Sequence, residues 1–174
     1  VYLTNSGTEA IEGALKLAKR VTQKSRLIAA HRSYHGSTHG ALSLLGYEKQ
    51  KKGYRPLLPG VNFIDFNKEN DLNIIDGNTA AVLLETIQGG AGFILPQNNY
   101  LKKVKKKCES VGALLILDEI QPGFGRTGKM FGFEHFGITP DIVVMGKALG
   151  GGLPIGAFSA SKKLMQKLEI IIQN

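Results

Sequence analysis

Four short stretches carry residue types whose chemistry goes beyond packing. Lys147 stands in "GKALGGGLPIG" (146–156), a run otherwise small or apolar, directly after the strand-like "DIVVM" (141–145). A cation beside a buried strand must be paired, neutralised or chemically used. Desolvation lowers a lysine's pKa, and the neutral amine forms Schiff bases with carbonyl compounds. A lysine whose stem packs on the sheet edge while its amine snorkels to solvent is the simpler alternative. Gly150, Gly151 and Gly152 open space around the amine, which packing alone does not require.

The second stretch, "LILDEIQ" (115–121), ends an apolar strand in two adjacent carboxylates. Successive strand side chains face opposite ways, so Asp118 and Glu119 cannot share one role. A carboxylate there needs a partner: a ligand cation, a metal, or Arg126 in "GFGRTG". In "NSGTE" (5–9), Ser6 can cap a helix while Glu9 returns to the backbone, and Gly7 leaves N–H groups open to an anion. An ordinary capped helix fits that stretch equally well. In "SYHG" (33–36), Tyr34 can stack on a planar ligand. His35 and His39 share a helical spacing that suits a metal, but no H-E-x-x-H pattern accompanies them. Taken together, an anion site, a stacking aromatic, a carboxylate and a reactive lysine match pyridoxal 5'-phosphate. That cofactor has a phosphate, a flat ring, a pyridinium nitrogen that an Asp keeps protonated, and an aldehyde.

These residues need a scaffold that brings distant loops together. Strands are expected at Leu27–Ala30, Val61–Phe66, Ala80–Glu85, Ala113–Asp118, Asp141–Met145 and Ile155–Ala160. Helices are expected at Thr8–Thr22, Ser37–Leu45, Asn98–Val111 and Ser161–Leu168. Continuous apolar strands such as "ALLIL" suit a sheet covered on both faces, so the fold is α/β with a mostly parallel sheet. Ligands of such sheets bind at the strands' carboxyl ends, where the polar and glycine-rich loops gather.

Composition narrows the function further. The net charge of +8 sits largely in "EKQKKGYR" (48–55) and "LKKVKKKCES" (101–110). In the second run, Leu101, Val104, Cys108 and Val111 recur at helical spacing, so the lysines form a solvated outer face rather than a nucleic-acid surface. No apolar run is long enough to span a membrane. One cysteine excludes an internal disulfide and fits a reducing, cytoplasmic setting. The opening "VYLTNSGTEA" runs straight into a helix start, and the chain stops at "KLEIIIQN". Residues 1–174 are therefore read as an internal piece, the cofactor-binding large domain.

"NSGTEA", "YHG", "LILDEIQPGFGRTG" and "GKALGGGLPIGA" resemble, in order, the motifs of the class-III aminotransferases of fold type I. "YHGSTHGALS" and "ETIQGGAG" resemble the acetylornithine/ornithine branch, succinylornithine being a variant donor. The resemblance implies that Lys147 forms the internal aldimine and moves the substrate proton, and that Asp118 partners the pyridinium. It implies that Ile120 packs on the ring, Gln121 reaches the phenolic oxygen, and Gly7 and Thr8 bind the phosphate beside Ser6. Tyr34 matches the stacking aromatic with His35 beside it, Glu85 lines the substrate side, and Arg126 braces its loop through an ion pair. The implied reaction is ping-pong transfer from an acetylornithine/ornithine-type donor to 2-oxoglutarate, as in arginine biosynthesis. The implied assembly is a homodimer with interface active sites, inactive without its missing small domain and the partner's threonine.

Three positions depart from the pattern. Ser37 stands where many relatives have an Arg that grips the substrate carboxylate, leaving that anchor unassigned. "ETIQGGAG" lacks the second acid of "EPIQGEGG", and Ile11 replaces an Asn. A 4-aminobutyrate-type or diamine aminotransferase, or an aminomutase, shares the cofactor motifs. A non-catalytic basic binding module would leave Lys147 and Asp118 without a role.

Overall fold

The computed structural model describes residues 1–172, with side chains through residue 168 in the last helix. Strands β1 (Tyr2–Thr4), β2 (Arg26–Ala30), β3 (Val61–Ile64), β4 (Thr79–Glu85), β5 (Leu114–Asp118), β6 (Ile142–Met145) and β7 (Gly156–Ala160) form one sheet. Its order is β1-β7-β6-β5-β4-β2-β3. The pairs β2–β3, β2–β4, β4–β5 and β5–β6 are parallel, whereas β7 runs antiparallel to both β6 and β1. The carboxyl ends of β2, β4, β5 and β6 consequently share one edge of the sheet.

Strict alternation sends neighbouring side chains to opposite cores. Leu27, Ala29, Ala81, Leu83, Ile116 and Val144 pack with the apolar stripe of α1 (Gly7–Thr22), namely Ala10, Ile11, Ala14, Leu15, Leu17 and Ala18. Ile28, Ala30, Val82, Leu84, Leu115 and Leu117 pack on the other face against Tyr100, Leu101, Val104 and Cys108 of α4 (Tyr100–Val111). All seven residues of β4 are buried, as a strand covered on both faces requires. Burial pushes the Cys108 thiol up to about 12, making it a core side chain rather than a nucleophile.

The elements differ from expectation mainly at their ends. The helix expected over Ser37–Leu45 is the short α2 (His39–Ser43). The start of α4 is delayed because Asn98 and Asn99 both take positive φ, 50° and 58°. The last helix, α5, spans Lys162–Ile172 rather than Ser161–Leu168. Strand β1 and the short helix α3 (Glu48–Lys51) lay below the length at which periodicity is readable. The α4 lysines face outward as expected, with Lys103 on Glu69 at 2.6 Å and Lys105 on Asp141 at 2.7 Å. Lys51 is buried instead, its amine 4.1 Å above the Phe63 ring and 3.4 Å from Glu48.

Candidate active site

The start of α1 supplies the anion end. Ser6 is the helix cap, extended at φ −158° and ψ 161°, and its Oγ accepts the Glu9 N–H at 3.3 Å. The Glu9 carboxylate accepts the Asn5 N–H at 2.8 Å, one residue upstream of the cap, and Ala10 N–H bonds Ser6 O at 3.1 Å. Gly7 and Thr8 thereby keep the first-turn N–H groups that point out of the positive helix end. Gly7 is required by close approach. A methyl group there would come within 2.6 Å of Ile120 Cδ1, and one on Gly146 within 3.3 Å of the Gly7 Cα.

Asp118 ends β5 and is nearly buried, with its side chain 5% exposed. Its Oδ2 lies 2.8 Å from His35 Nδ1, and its Oδ1 accepts the Ile120 N–H at 3.0 Å. Of the expected partners, Arg126 is not one: it is exposed and makes no ion pair among the described residues, so it does not brace the loop that way. An ionised carboxylate only accepts, so His35 donates from Nδ1. His35 Nε2 is buried with no partner among the described residues. Glu119 faces away, as alternation demands, and accepts from Thr86 Oγ1 at 2.6 Å, Gly132 N at 2.8 Å and Phe133 N at 2.9 Å. Burial is the largest influence on Glu119 and raises its pKa above the usual carboxylate value.

Glu85 ends β4 and ties two loops together. Its Oε2 accepts the Tyr34 N–H at 3.3 Å and its Oε1 the Gly89 N–H at 3.1 Å. Desolvation dominates here too and raises the pKa, with Asp118 adding to the effect and His35 opposing it. Tyr34, 51% exposed, leaves its ring available for stacking. Gly36, at φ 123°, brings the loop so close to α1 that a methyl would fall 3.0 Å from the Thr8 Cα and closer still to its side chain.

Lys147 follows β6 in a 3-10 turn (Lys147–Gly150) and takes φ 47°, a left-handed conformation unusual for a side chain this long. It is exposed rather than desolvated, which corrects the expectation of an apolar setting. It lines a cavity of about 310 Å³. That cavity is lined by Gly7, Thr8, Tyr34, His35, Glu85, Asp118, Ile120, Gln121 and Lys147. Ser6 stands behind as the cap, and Gly36, Ser37 and Gly90 complete the wall. His39 is not among these residues. Its Nε2 lies 3.2 Å from Pro56 O, and no metal-competent cluster of His, Cys, Asp and Glu exists among the described residues. Motif reading missed Glu12 and Thr38, which bond the two sides of the cavity's anion end. Thr8 and Glu12 are four apart on α1, the one available signal.

The residues fit a phosphorylated planar aldehyde. The first-turn N–H groups of α1 face the cavity's anion end, a buried carboxylate is held in place by His35 and Ile120, and His35 Nε2 is buried without a partner among the described residues. A fold of this kind with such a site defines a phosphate-cofactor enzyme scaffold. Residues 1–171 match the family described as aminotransferase class-III, and the chain belongs to that family, whose members depend on pyridoxal phosphate. It is 43% identical to the [LysW]-aminoadipate semialdehyde/glutamate semialdehyde transaminase of Sulfurisphaera tokodaii, over 97% of this chain and 44% of the relative. It is 44% identical to the acetylornithine aminotransferase of Lactiplantibacillus plantarum, over 94% of this chain and 42% of the relative. Ornithine aminotransferase from Toxoplasma gondii, whose active site holds pyridoxal phosphate at partial occupancy, superposes with TM-score 0.91 at 35% identity, covering 96% and 42%. The chain thus spans less than half the length of these relatives. Among the described residues no helix is long and apolar enough to cross a membrane.

Proposed function

We propose that residues 1–174 are the cofactor-binding large domain of a pyridoxal-phosphate-dependent transaminase. It would move an amino group from an ornithine-type terminal amine to a 2-oxo acid such as 2-oxoglutarate. The observation that carries this reading is the convergence of Gly7, Thr8, Tyr34, Asp118 and Lys147, drawn from four separate segments, on one cavity. When bound, the cofactor supplies an electron sink for charge developing at the substrate carbon.

The chain's own residues divide the remaining work. The Gly7 and Thr8 N–H groups hold the phosphate at the positive end of α1. Asp118 keeps a proton on the ring nitrogen. The His35 N–H and the Ile120 N–H each bond one of the carboxylate's oxygens and fix its plane. Ile120 would pack on the ring, Tyr34 would stack on it, and Gln121 would reach the phenolic oxygen. Lys147 would be the amine that holds the aldehyde and carries the substrate proton on Nζ. It lines the cavity and is exposed, so a substrate amine could reach it. Glu85 lines the substrate side while fixing the Tyr34 and Gly89 backbones.

The donor class rests on the relatives. Acetylornithine and aminoadipate semialdehyde share one chemistry, interconversion of a terminal amine and a terminal aldehyde on an amino-acid chain. A second reading, in which the terminal amine is the one corresponding to an aminoadipate or glutamate semialdehyde, rests on the 43% relative. Borohydride reduction with pyridoxal phosphate should leave covalent cofactor on the wild type and none on Lys147→Ala; equal retention would remove the lysine from its role. A panel of terminal-amine donors then tests the substrate, and a strong preference for 4-aminobutyrate over acetylated ornithine would overturn the branch.

A further inference from the structure

Glu12 lies outside the cavity wall, yet it is the most heavily bonded side chain near the cavity's anion end. From the second turn of α1 its Oε1 accepts from Thr38 Oγ1 at 2.6 Å, Gly40 N at 2.8 Å and Ala41 N at 3.0 Å. Thr38 caps α2 in position but makes no side-chain bond to that helix, so Glu12 supplies from α1 what the cap does not. Thr38 Oγ1 also lies 2.7 Å from Thr8 Oγ1, and the Thr38 N–H reaches Thr8 Oγ1 at 3.3 Å.

Proton counting orients this chain of groups. Ionised Glu12 can only accept, so the single Thr38 hydroxyl proton is given to it. In the 2.7 Å contact Thr8 must then be the donor. The hydroxyls run Thr8 to Thr38 to Glu12, in one direction, each bond polarising the next. The Thr8 side chain is locked by a donated and an accepted bond, and the segment carrying Tyr34, Gly36 and Ser37 is clamped to the start of α1.

We infer that Glu12 is a positioning residue for the cofactor's phosphate, acting through Thr38 on Thr8 and on the Tyr34–Ser37 loop. This rests on the reading of Gly7–Thr8 as the phosphate site. The quantity it governs is discrimination between a phosphorylated and an unphosphorylated ligand, because the hydroxyl chain ends on Thr8 at the start of α1.

The test measures binding of pyridoxal phosphate and of pyridoxal to the purified protein and to Glu12→Ala, Glu12→Gln and Thr38→Val. The readout is the ratio of the two dissociation constants. Loss of one or two such bonds should lower the preference for the phosphorylated ligand about 10-fold in Glu12→Ala and Thr38→Val. Glu12→Gln keeps an oxygen for the same three donors and should stay within about 2-fold of wild type. Equal weakening of both ligands would reduce Glu12 to a structural tie and overturn the inference, as would a wild-type ratio in Thr38→Val. If Glu12→Ala does not fold, Thr38→Val and Glu12→Gln decide alone. A wild type that shows no preference for the phosphate would instead sink the phosphate-site reading beneath it.

Discussion

The His35–Asp118 pair offers a test in which two similar substitutions should behave oppositely. The His35 side chain is fully buried, and its Nδ1 lies 2.8 Å from Asp118 Oδ2. Asn places its amide nitrogen at the same distance along the side chain as Nδ1, whereas Gln places it where Nε2 stands. His35→Asn can therefore keep the donor to Asp118, and His35→Gln cannot without shifting its backbone. A hydrogen bond to a charged group is worth about 1.5–3 kcal/mol, and its loss leaves a carboxylate oxygen buried. Both variants lose ring atoms, and Asn leaves a cavity one methylene larger than Gln, which offsets about 0.8 kcal/mol of that difference. For a chain of this size about 1 kcal/mol shifts the melting temperature by about 2–4 °C. Thermal unfolding without cofactor should thus place His35→Gln about 1–9 °C below His35→Asn. The same order should appear in pyridoxal phosphate affinity. If Gln melts at or above Asn, the bond seen to Asp118 does not hold that carboxylate.

Two further expectations concern stability. Gly36→Ala must place a methyl against Thr8 at φ 123°, where only glycine is at ease; strain and overpacking together should cost about 2–5 kcal/mol, read by urea unfolding. A cost under about 1 kcal/mol would mean that the loop is not seated on α1. Glu85 and Glu119 both hold their protons more tightly in the fold than in the unfolded chain, chiefly through burial. Their contribution is fully present below the ordinary value of about 4.3 and is lost as pH rises through the raised ones. Melts taken from about pH 4 upward should decline less steeply in Glu85→Gln than in wild type, whatever its absolute stability. An unchanged slope would contradict the burial-driven shift.

The sheet was largely legible because β4 and β5 are apolar on both faces, a pattern that only a doubly covered strand needs. Strand direction was not, since the periodicity of "GAFSA" is the same whether β7 runs with β6 or against it. Among site residues, Lys147, Asp118 and Gly7 announced themselves by being chemically out of place. The setting of Lys147 was misjudged because apolar neighbours in sequence imply burial only when the backbone folds them inward, and here the turn after β6 stands the residue off. The partner of Asp118 was likewise hidden. His35 is 83 residues away in sequence, and nothing local distinguishes it from a merely packed histidine. Glu12 was invisible for the opposite reason: an acid in the second turn of an amphipathic helix is ordinary until α2 is seen to start on it.

The contact between Gly7 and Gly146 has a consequence for selectivity by length. These two residues root the start of α1 and the lysine, and a side chain on Gly146 would press on the Gly7 main chain and on Ile120. The spacing between the two anchor points is thus set by backbone, which no rotamer can adjust. Lengthening or shortening the linker between a ligand's anion and its carbonyl should therefore be penalised at the root of the site, not at its walls.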